Sequence, residues 1–248
     1  NAGALTSHTG GGGVIFAVAG NTFSSFNACG ECVRVDVPNA WPRTCSLVQG
    51  DGGNSASRLN LNGNDQTVGR WETQSASGSL RILFSAAPAT LTVDQSANTL
   101  FNGSITGAVS IVKLGTGSLT LTNKYITTSG SFTVSNGTLA VANEGTFGPN
   151  STNIVVAGSG TLALSNSVAL ADSATVKMPA AGVGTAKIAL AAGVEERVGW
   201  LYFGTKMQRV GTYGATGSGA NHIDDAHFAG AGVLRVLHDN AGTFFSLL

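Results

Sequence analysis

Three cysteines fall within one short stretch, at Cys29, Cys32 and Cys45. The first two form a C-x-x-C pair, a spacing used for redox chemistry or zinc binding. No strand–helix–strand pattern surrounds them, and His8 is a poor fourth zinc ligand. We therefore predict one structural disulfide within the trio, with the third cysteine free or joined to another subunit. We favour a bridge from Cys45 to Cys29 or Cys32, because it closes a loop around the intervening strand.

A second cluster of titratable groups occupies residues 222–227, with His222, Asp224, Asp225 and His227. Two histidines and two aspartates could in principle hold a metal ion. The cluster lies in a loop between glycines, however, and alternation along an extended chain sends neighbouring side chains to opposite faces. We therefore predict turn-forming roles here, with no metal site and no cofactor.

Paired carboxylates for acid–base catalysis are hard to assemble from this chain. Glu195 and Glu196 are adjacent, so on an extended strand they point apart. The 13 Asp and Glu residues are spread too thinly to define a polysaccharide-cleaving groove. There is no G-x-S-x-G motif for a serine nucleophile, and no lysine follows Gly10–Gly13 to make a phosphate loop. No catalytic residue is predicted, and we expect a protein that is not an enzyme.

The elements around these groups are short alternating strands, with small or polar residues on one face and Leu, Phe or Val on the other. Similar tetrads recur about every 20 to 30 residues, the signature of a solenoid in which each unit covers its neighbour. We predict an all-β chain of stacked parallel coils. The side chains expected inside are Leu91, Leu119, Leu121, Leu139, Val141, Leu162 and Leu164.

A family resemblance rests on residues 112–141, which contain Val112-Lys113, Gly115, Gly117, Leu119-Thr120-Leu121 and Asn136-Gly137-Thr138-Leu139-Ala140-Val141. This segment resembles the autotransporter-associated β-strand repeat, also called the passenger-associated transport repeat. Residues 59–68 and 211–234 are similar to segments that precede and close such repeats. The resemblance implies a right-handed parallel β-helix in a secreted or cell-surface bacterial protein. It says little about activity, because the family is defined by a fold-forming repeat.

Composition narrows the possible partners. Charged residues make up 10% of the chain and the formal net charge is zero. The basic residues are scattered, so neither nucleic acid nor an anionic membrane is an expected partner. No apolar run is long enough for a transmembrane helix, and we expect no membrane insertion. We divide the chain into an N-terminal cap or interaction module at 1–56, which would hold the disulfide, and a β-solenoid at 57–248.

These observations favour a non-enzymatic extracellular or surface protein that associates with itself, with surface glycans as a further possible partner. The C-terminal strand is apolar and nearly uncharged, so we expect it to plug its own core or add to a neighbour's open edge. The self-association candidates are Phe244, Phe245, Leu247 and Leu248. The alternatives are a carbohydrate-active β-helix enzyme, a lyase or glycosidase, and a passive spacer from a larger autotransporter passenger.

Overall fold

The computed structural model describes residues 3–7, 13–28, 30–50, 56–74 and 81–240, and every regular element in these ranges is a β-strand. The strands are β1 (Ala4–Ser7), β2 (Val14–Phe16), β3 (Ser25–Ala28), β4 (Gly30–Val35), β5 (Ser46–Gln49), β6 (Ser57–Asn60), β7 (Gln66–Val68), β8 (Arg70–Thr73), β9 (Arg81–Asp94), β10 (Thr99–Phe101), β11 (Ser104–Leu114), β12 (Ser118–Leu121), β13 (Phe132–Val134), β14 (Thr138–Val141), β15 (Asn153–Val156), β16 (Thr161–Leu164), β17 (Thr175–Met178), β18 (Lys187–Leu190), β19 (Glu195–Val198), β20 (Trp200–Phe203), β21 (Lys206–Met207), β22 (Gly211–Gly214), β23 (His222–Ile223), β24 (Phe228–Gly230) and β25 (Val233–Val236).

The first face of the molecule is a stack of parallel strands, one from each coil. It consists of a four-stranded sheet, β1-β3-β5-β8, followed by a six-stranded sheet, β10-β12-β14-β16-β18-β24. Leu119, Leu139, Leu162 and Ile188 occupy one register position in four successive strands, and all four are buried. The predicted β-solenoid is therefore confirmed, and all seven side chains expected inside it are buried.

The other two faces share one long sheet, because β9 and β11 each turn a corner of the coil. The first half of β9 pairs with β6 on the second face, and its second half pairs with β7 on the third face. The pairing of β11 with β9 shifts register between Gly107 and Val109, which marks the corner. From β13 to β20 the third face continues as a parallel stack. On the second face β4 pairs with β6, with a register shift between Gly30 and Val33, so strand pairing joins the two sides of residue 56.

The corner between the third and first faces depends on close backbone contact. Gly115 has a positive φ of 70°, and a Cβ atom there would lie 2.3 Å from the carbonyl oxygen of Gln95. A Cβ atom on Gly117 would lie 2.1 Å from the carbonyl oxygen of Ala97. Both glycines belong to the repeat motif noted above. Only glycine fits at these two positions, because successive coils touch backbone to backbone.

The two ends of the described stack differ, with an aromatic cluster at the N-terminal end and antiparallel strands at the C-terminal end. At the N-terminal end Phe16, Phe23, Phe26 and Trp41 form a cluster in which the rings of Phe16 and Phe26 are 5.2 Å apart. At the C-terminal end the direction of pairing changes. There β21 is antiparallel to β20, and β22 is antiparallel to β25. These antiparallel strands cover the last parallel strands of the third and second faces.

The predicted disulfide is not supported. Cys32 and Cys45 are free thiols, and any bridge within the trio must use at least one of them. Cys45 points into the core and is fully buried. In β4 the inward positions are taken by Val33 and Val35, so Cys32 lies on the outer side of the wall. The wall of the coil thus separates the two thiols. Cys29 lies outside the described residues.

We predict that inward and outward positions on one strand differ sharply in their effect on stability. Leu139→Ala should lower the free energy of unfolding by about 2–5 kcal/mol, because it leaves a cavity in a core that stacked neighbours cannot refill. Thr138→Ala, on the outer side of the same strand, should cost less than about 1 kcal/mol. Urea denaturation followed by circular dichroism measures both. Equal losses in the two variants would contradict the stacked-coil core.

Candidate functional site

A lysine is buried inside the solenoid at the corner between the third and first faces. Lys113 follows Ile111 on the inward side of β11 and is fully buried. Its Nζ donates to the carbonyl oxygens of Leu114, Gly115 at 2.9 Å and Asn136 at 3.5 Å. Burial lowers the pKa of Lys113 to about 8, although Asp94 nearby opposes that change. The ammonium group thus bonds to carbonyls of two successive coils, and the Leu114 carbonyl also accepts from the N–H of Gln95.

Two buried glutamines accept hydrogen bonds from backbone N–H groups of neighbouring coils. The Oε1 atom of Gln66 accepts from the N–H of Trp41 at 3.2 Å. The Oε1 atom of Gln95 accepts from the N–H of Trp71, also at 3.2 Å. Their Nε2 atoms donate to the carbonyl oxygens of Val37 and Ser118, at 2.9 and 2.7 Å. Each glutamine therefore joins its coil to a neighbour at a place where the strand ladder is interrupted.

Adjacent glutamates on β19 have opposite surroundings, as alternation predicts. Glu195 faces outward, and its Oε1 lies 2.5 Å from Nε of Arg235. Glu196 faces inward and is almost completely buried. Its two oxygens accept from the N–H groups of Ala169 at 3.1 Å and Leu170 at 2.9 Å. The irregular segment around residue 169 has no strand on this face, and Glu196 supplies the acceptors that a neighbouring strand would otherwise provide.

The protonation of Glu196 is set by opposing effects. Burial raises its pKa to about 7, and hydrogen bonds from the backbone N–H groups of Leu170, Ala169 and Arg197 work against that rise. Two of the side-chain hydrogen bonds of this carboxyl group thus join β19 to the segment at residues 169 and 170. Sequence reasoning missed Glu196 and Lys113. The available signal was their inward position in an alternating strand, since charged side chains at such positions must find partners inside.

The cluster at residues 222–227 is divided among local structural contacts. Asp224 accepts from Nδ1 of His227 at 2.7 Å, and Nε2 of His227 lies 3.0 Å from the carbonyl oxygen of Pro179. Asp225 accepts from the N–H and hydroxyl of Thr216, at 2.7 and 2.6 Å. His222 stacks on a neighbouring ring instead of joining them. Across the ranges that the structure describes, no three His, Cys, Asp or Glu side chains gather as metal ligands.

A cleft lies beside this cluster at the C-terminal end, between the β20–β21 hairpin and the β22–β23 segment. One cavity of about 460 Å³ is lined by residues including Tyr213 and His222. A second cavity of about 410 Å³ shares Phe203, Lys206 and Gln208 with the first. The cleft was not identified from the sequence, because β22 and β23 meet across a seven-residue glycine-containing loop, residues 215–221, that carries no strong pattern.

The predicted self-association residues, Phe244, Phe245, Leu247 and Leu248, lie outside the described residues. No helix long and apolar enough to cross a membrane occurs in the described part of the chain. No protein-family model, no curated protein and no solved structure matches this sequence.

We predict that the free energy of unfolding falls as the pH rises from about 4.5 to about 7 through Glu196. Its folded pKa lies above the ordinary value of 4.5, so folding gains most from this group when it is protonated. Glu196→Gln should remove this part of the pH dependence, although the single amide oxygen can accept only one of the two N–H bonds. Chemical denaturation at several pH values measures the difference. An unchanged slope in the variant would contradict the assignment.

Lys113 should produce the opposite dependence at alkaline pH. Its folded pKa is about 8 and its ordinary value is 10.5, so stability should rise as the pH increases between these values. Lys113→Met keeps the length of the side chain and should abolish the rise. The variant also leaves carbonyl oxygens without a donor, which should cost about 1–3 kcal/mol near neutral pH. Lys124→Met, at an exposed lysine, serves as the control, and a rise of the same size in Lys113→Met and wild type would refute the prediction.

Proposed function

We propose that this chain is a right-handed structural β-solenoid of an extracellular or cell-surface protein, without enzymatic activity, that associates with itself end to end. Right-handed coiling follows the general preference of parallel strand crossovers. The buried ionisable groups support a structural role, because Lys113 and Glu196 are bonded to backbone groups. The repeat resemblance supports the same class, since its motif residues Lys113, Gly115 and Gly117 all serve the corner between coils.

The observation that carries self-association is the difference between the two ends. Among the described residues, β1 pairs only with β3, and β2 pairs only with β4. The N-terminal coil therefore presents strand edges without a described partner, and Ile15 and Val18 beside them are 54% and 63% exposed. The C-terminal end, in contrast, is covered on two faces by antiparallel strands. An uncovered edge with apolar side chains is a template for another strand.

The occupant that we propose for this edge is the C-terminal segment 243–248 of a second copy. Its sequence is apolar and suited to strand addition. Joining the C-terminal segment of one copy to the N-terminal edge of the next is a head-to-tail contact. Such contacts need not close, so they build filaments rather than dimers. The formal net charge of zero offers little repulsion against this growth.

Two changes should each prevent assembly and leave the fold intact. Ile15→Lys places a charge on the exposed edge, and deletion of residues 243–248 removes the proposed donor strand. Sedimentation velocity at increasing concentration should show large assemblies for wild type and monomers for both variants. Val183→Lys, a charge added at a loop position with 62% exposure, is the control and should assemble as wild type does.

A mixture of the Ile15→Lys variant and the variant that lacks residues 243–248 provides a further test. When mixed, the Ile15→Lys chain still carries a donor segment and the deletion chain still carries an open edge, so limited dimers should form. Electron microscopy of wild type should show fibres. Wild type that stays monomeric at high concentration, or a deletion variant that still polymerises, would contradict the proposal and favour the passive spacer.

A further inference from the structure

The C-terminal cleft carries an excess of positive charge. Lys206 and Arg209 line it, and neither side chain forms an ion pair with a described residue. The carboxylate that lines the cleft belongs to Asp224. It is already engaged, because it accepts from the N–H groups of Ala226 and His227 and from Nδ1 of the His227 ring. Asp239 lies nearby, where it accepts from the N–H of Val210. Lys206 and Arg209 line the cleft itself without an ion pair to a described residue, and the ligand that two such cations favour is an anion.

Aromatic rings form a flat surface next to these cations. The ring of His222 stacks on Tyr213, with centroids 4.5 Å apart and planes 22° apart. His222 is exposed and lines the cleft, with its ring resting on Tyr213 and its Nε2 edge beside Gly211. Tyr213 is itself fixed, since its hydroxyl donates to the carbonyl oxygen of Arg209 at 2.9 Å. This bond holds the ring pair and the Arg209 backbone in one fixed arrangement.

A free acceptor completes the set of groups. Nε2 of Gln208 donates to the carbonyl oxygen of Lys206 at 2.9 Å, which orients the amide. Gln208 lines both cavities, and its Oε1 has no hydrogen-bond partner among the described residues. Asp224 and His227 also line the second cavity. The ring of His227 stacks on the ring of Phe203, with centroids 4.0 Å apart and planes 4° apart. The walls are thus held in place without a ligand.

We propose that this cleft binds an acidic pyranose, the uronate unit of an anionic polysaccharide. A uronate offers a carboxylate for Lys206 and Arg209, an apolar ring face for the ring of His222, and hydroxyl groups that can donate to Oε1 of Gln208. A cavity of about 460 Å³ that continues into one of about 410 Å³ is large enough for one or two such units. The site is independent of end-to-end assembly, because it lies on the β20–β23 segment and not on the N-terminal edge.

The experiment is a titration of the full chain with sodium glucuronate and with digalacturonate, followed by amide NMR and isothermal calorimetry. Methyl glucoside and inorganic phosphate are the matched probes, one neutral and one anionic without a ring. We expect the amide signals of residues 203–224 to shift with both uronates. Methyl glucoside and phosphate should each bind about tenfold more weakly or worse, because each lacks one of the two recognised features.

Single variants test separately the contact with the carboxylate and the contact with the sugar ring. Arg209→Gln should reduce uronate affinity about tenfold and leave the weak binding of methyl glucoside unchanged. His222→Ala should weaken both sugars and leave phosphate unchanged. Arg58→Gln, at an exposed arginine on β6 of the second face, is the control and should bind as wild type does. Sedimentation of the same variants should match wild type, so failure of this site is distinguishable from failure of self-association.

Three results would overturn the proposal. Phosphate that binds as tightly as glucuronate would reduce the cleft to a small-anion site. Methyl glucoside that binds as tightly as glucuronate would show that the cations take no part. Absence of shifts at residues 203–224 with both uronates would exclude the site itself.

Discussion

Close backbone contact between successive coils is the constraint on which the rest of this structure depends. Each coil has a hydrophobic edge that only the next coil can cover, so the strands must stack in register. At the corner after the third face this requires glycine, as the contacts of Gly115 and Gly117 show. The same contact leaves carbonyl groups facing the interior, where Lys113 binds them. Glycine and lysine in the repeat motif thus serve a single structural need.

Buried polar side chains form hydrogen bonds with backbone groups at the places where the hydrogen bonding between neighbouring strands is interrupted. Gln66 and Gln95 reach the N–H groups of tryptophans in neighbouring coils, and Glu196 reaches two N–H groups of an irregular segment. Each donates or accepts where a regular strand would have done so. Lys113 and Glu196 are bonded to backbone groups of neighbouring coils in the same way.

The strands at the two ends of the stack are paired differently. At the C-terminal end the pairing changes to antiparallel, and a cleft lies between the hairpin and the loop there. At the N-terminal end an aromatic cluster packs inside the first coil, and β2 pairs with β4 alone among the described residues. The described strands thus differ in pairing at the two ends, and this difference is the basis of the head-to-tail contact proposed above.

The sequence by itself determined the class of fold and the interior side of most strands. Alternation and a repeat of 20 to 30 residues predict stacked parallel strands, and Leu119, Leu139 and Leu162 lie inside as that pattern requires. Alternation likewise separates Glu195 from Glu196. Local patterns of this kind are sufficient because a strand's two faces follow from its own sequence.

Only the tertiary structure decided which distant groups meet. It placed Cys45 inside the core and Cys32 on the outer side of β4, with both thiols free, where spacing in the sequence had suggested a bridge. It brought Glu196 to residues 169 and 170, and Tyr213 to His222, through contacts between segments that share no pattern. These contacts between residues of different coils depend on the register in which all the strands stack. That register cannot be read from the sequence of one strand alone.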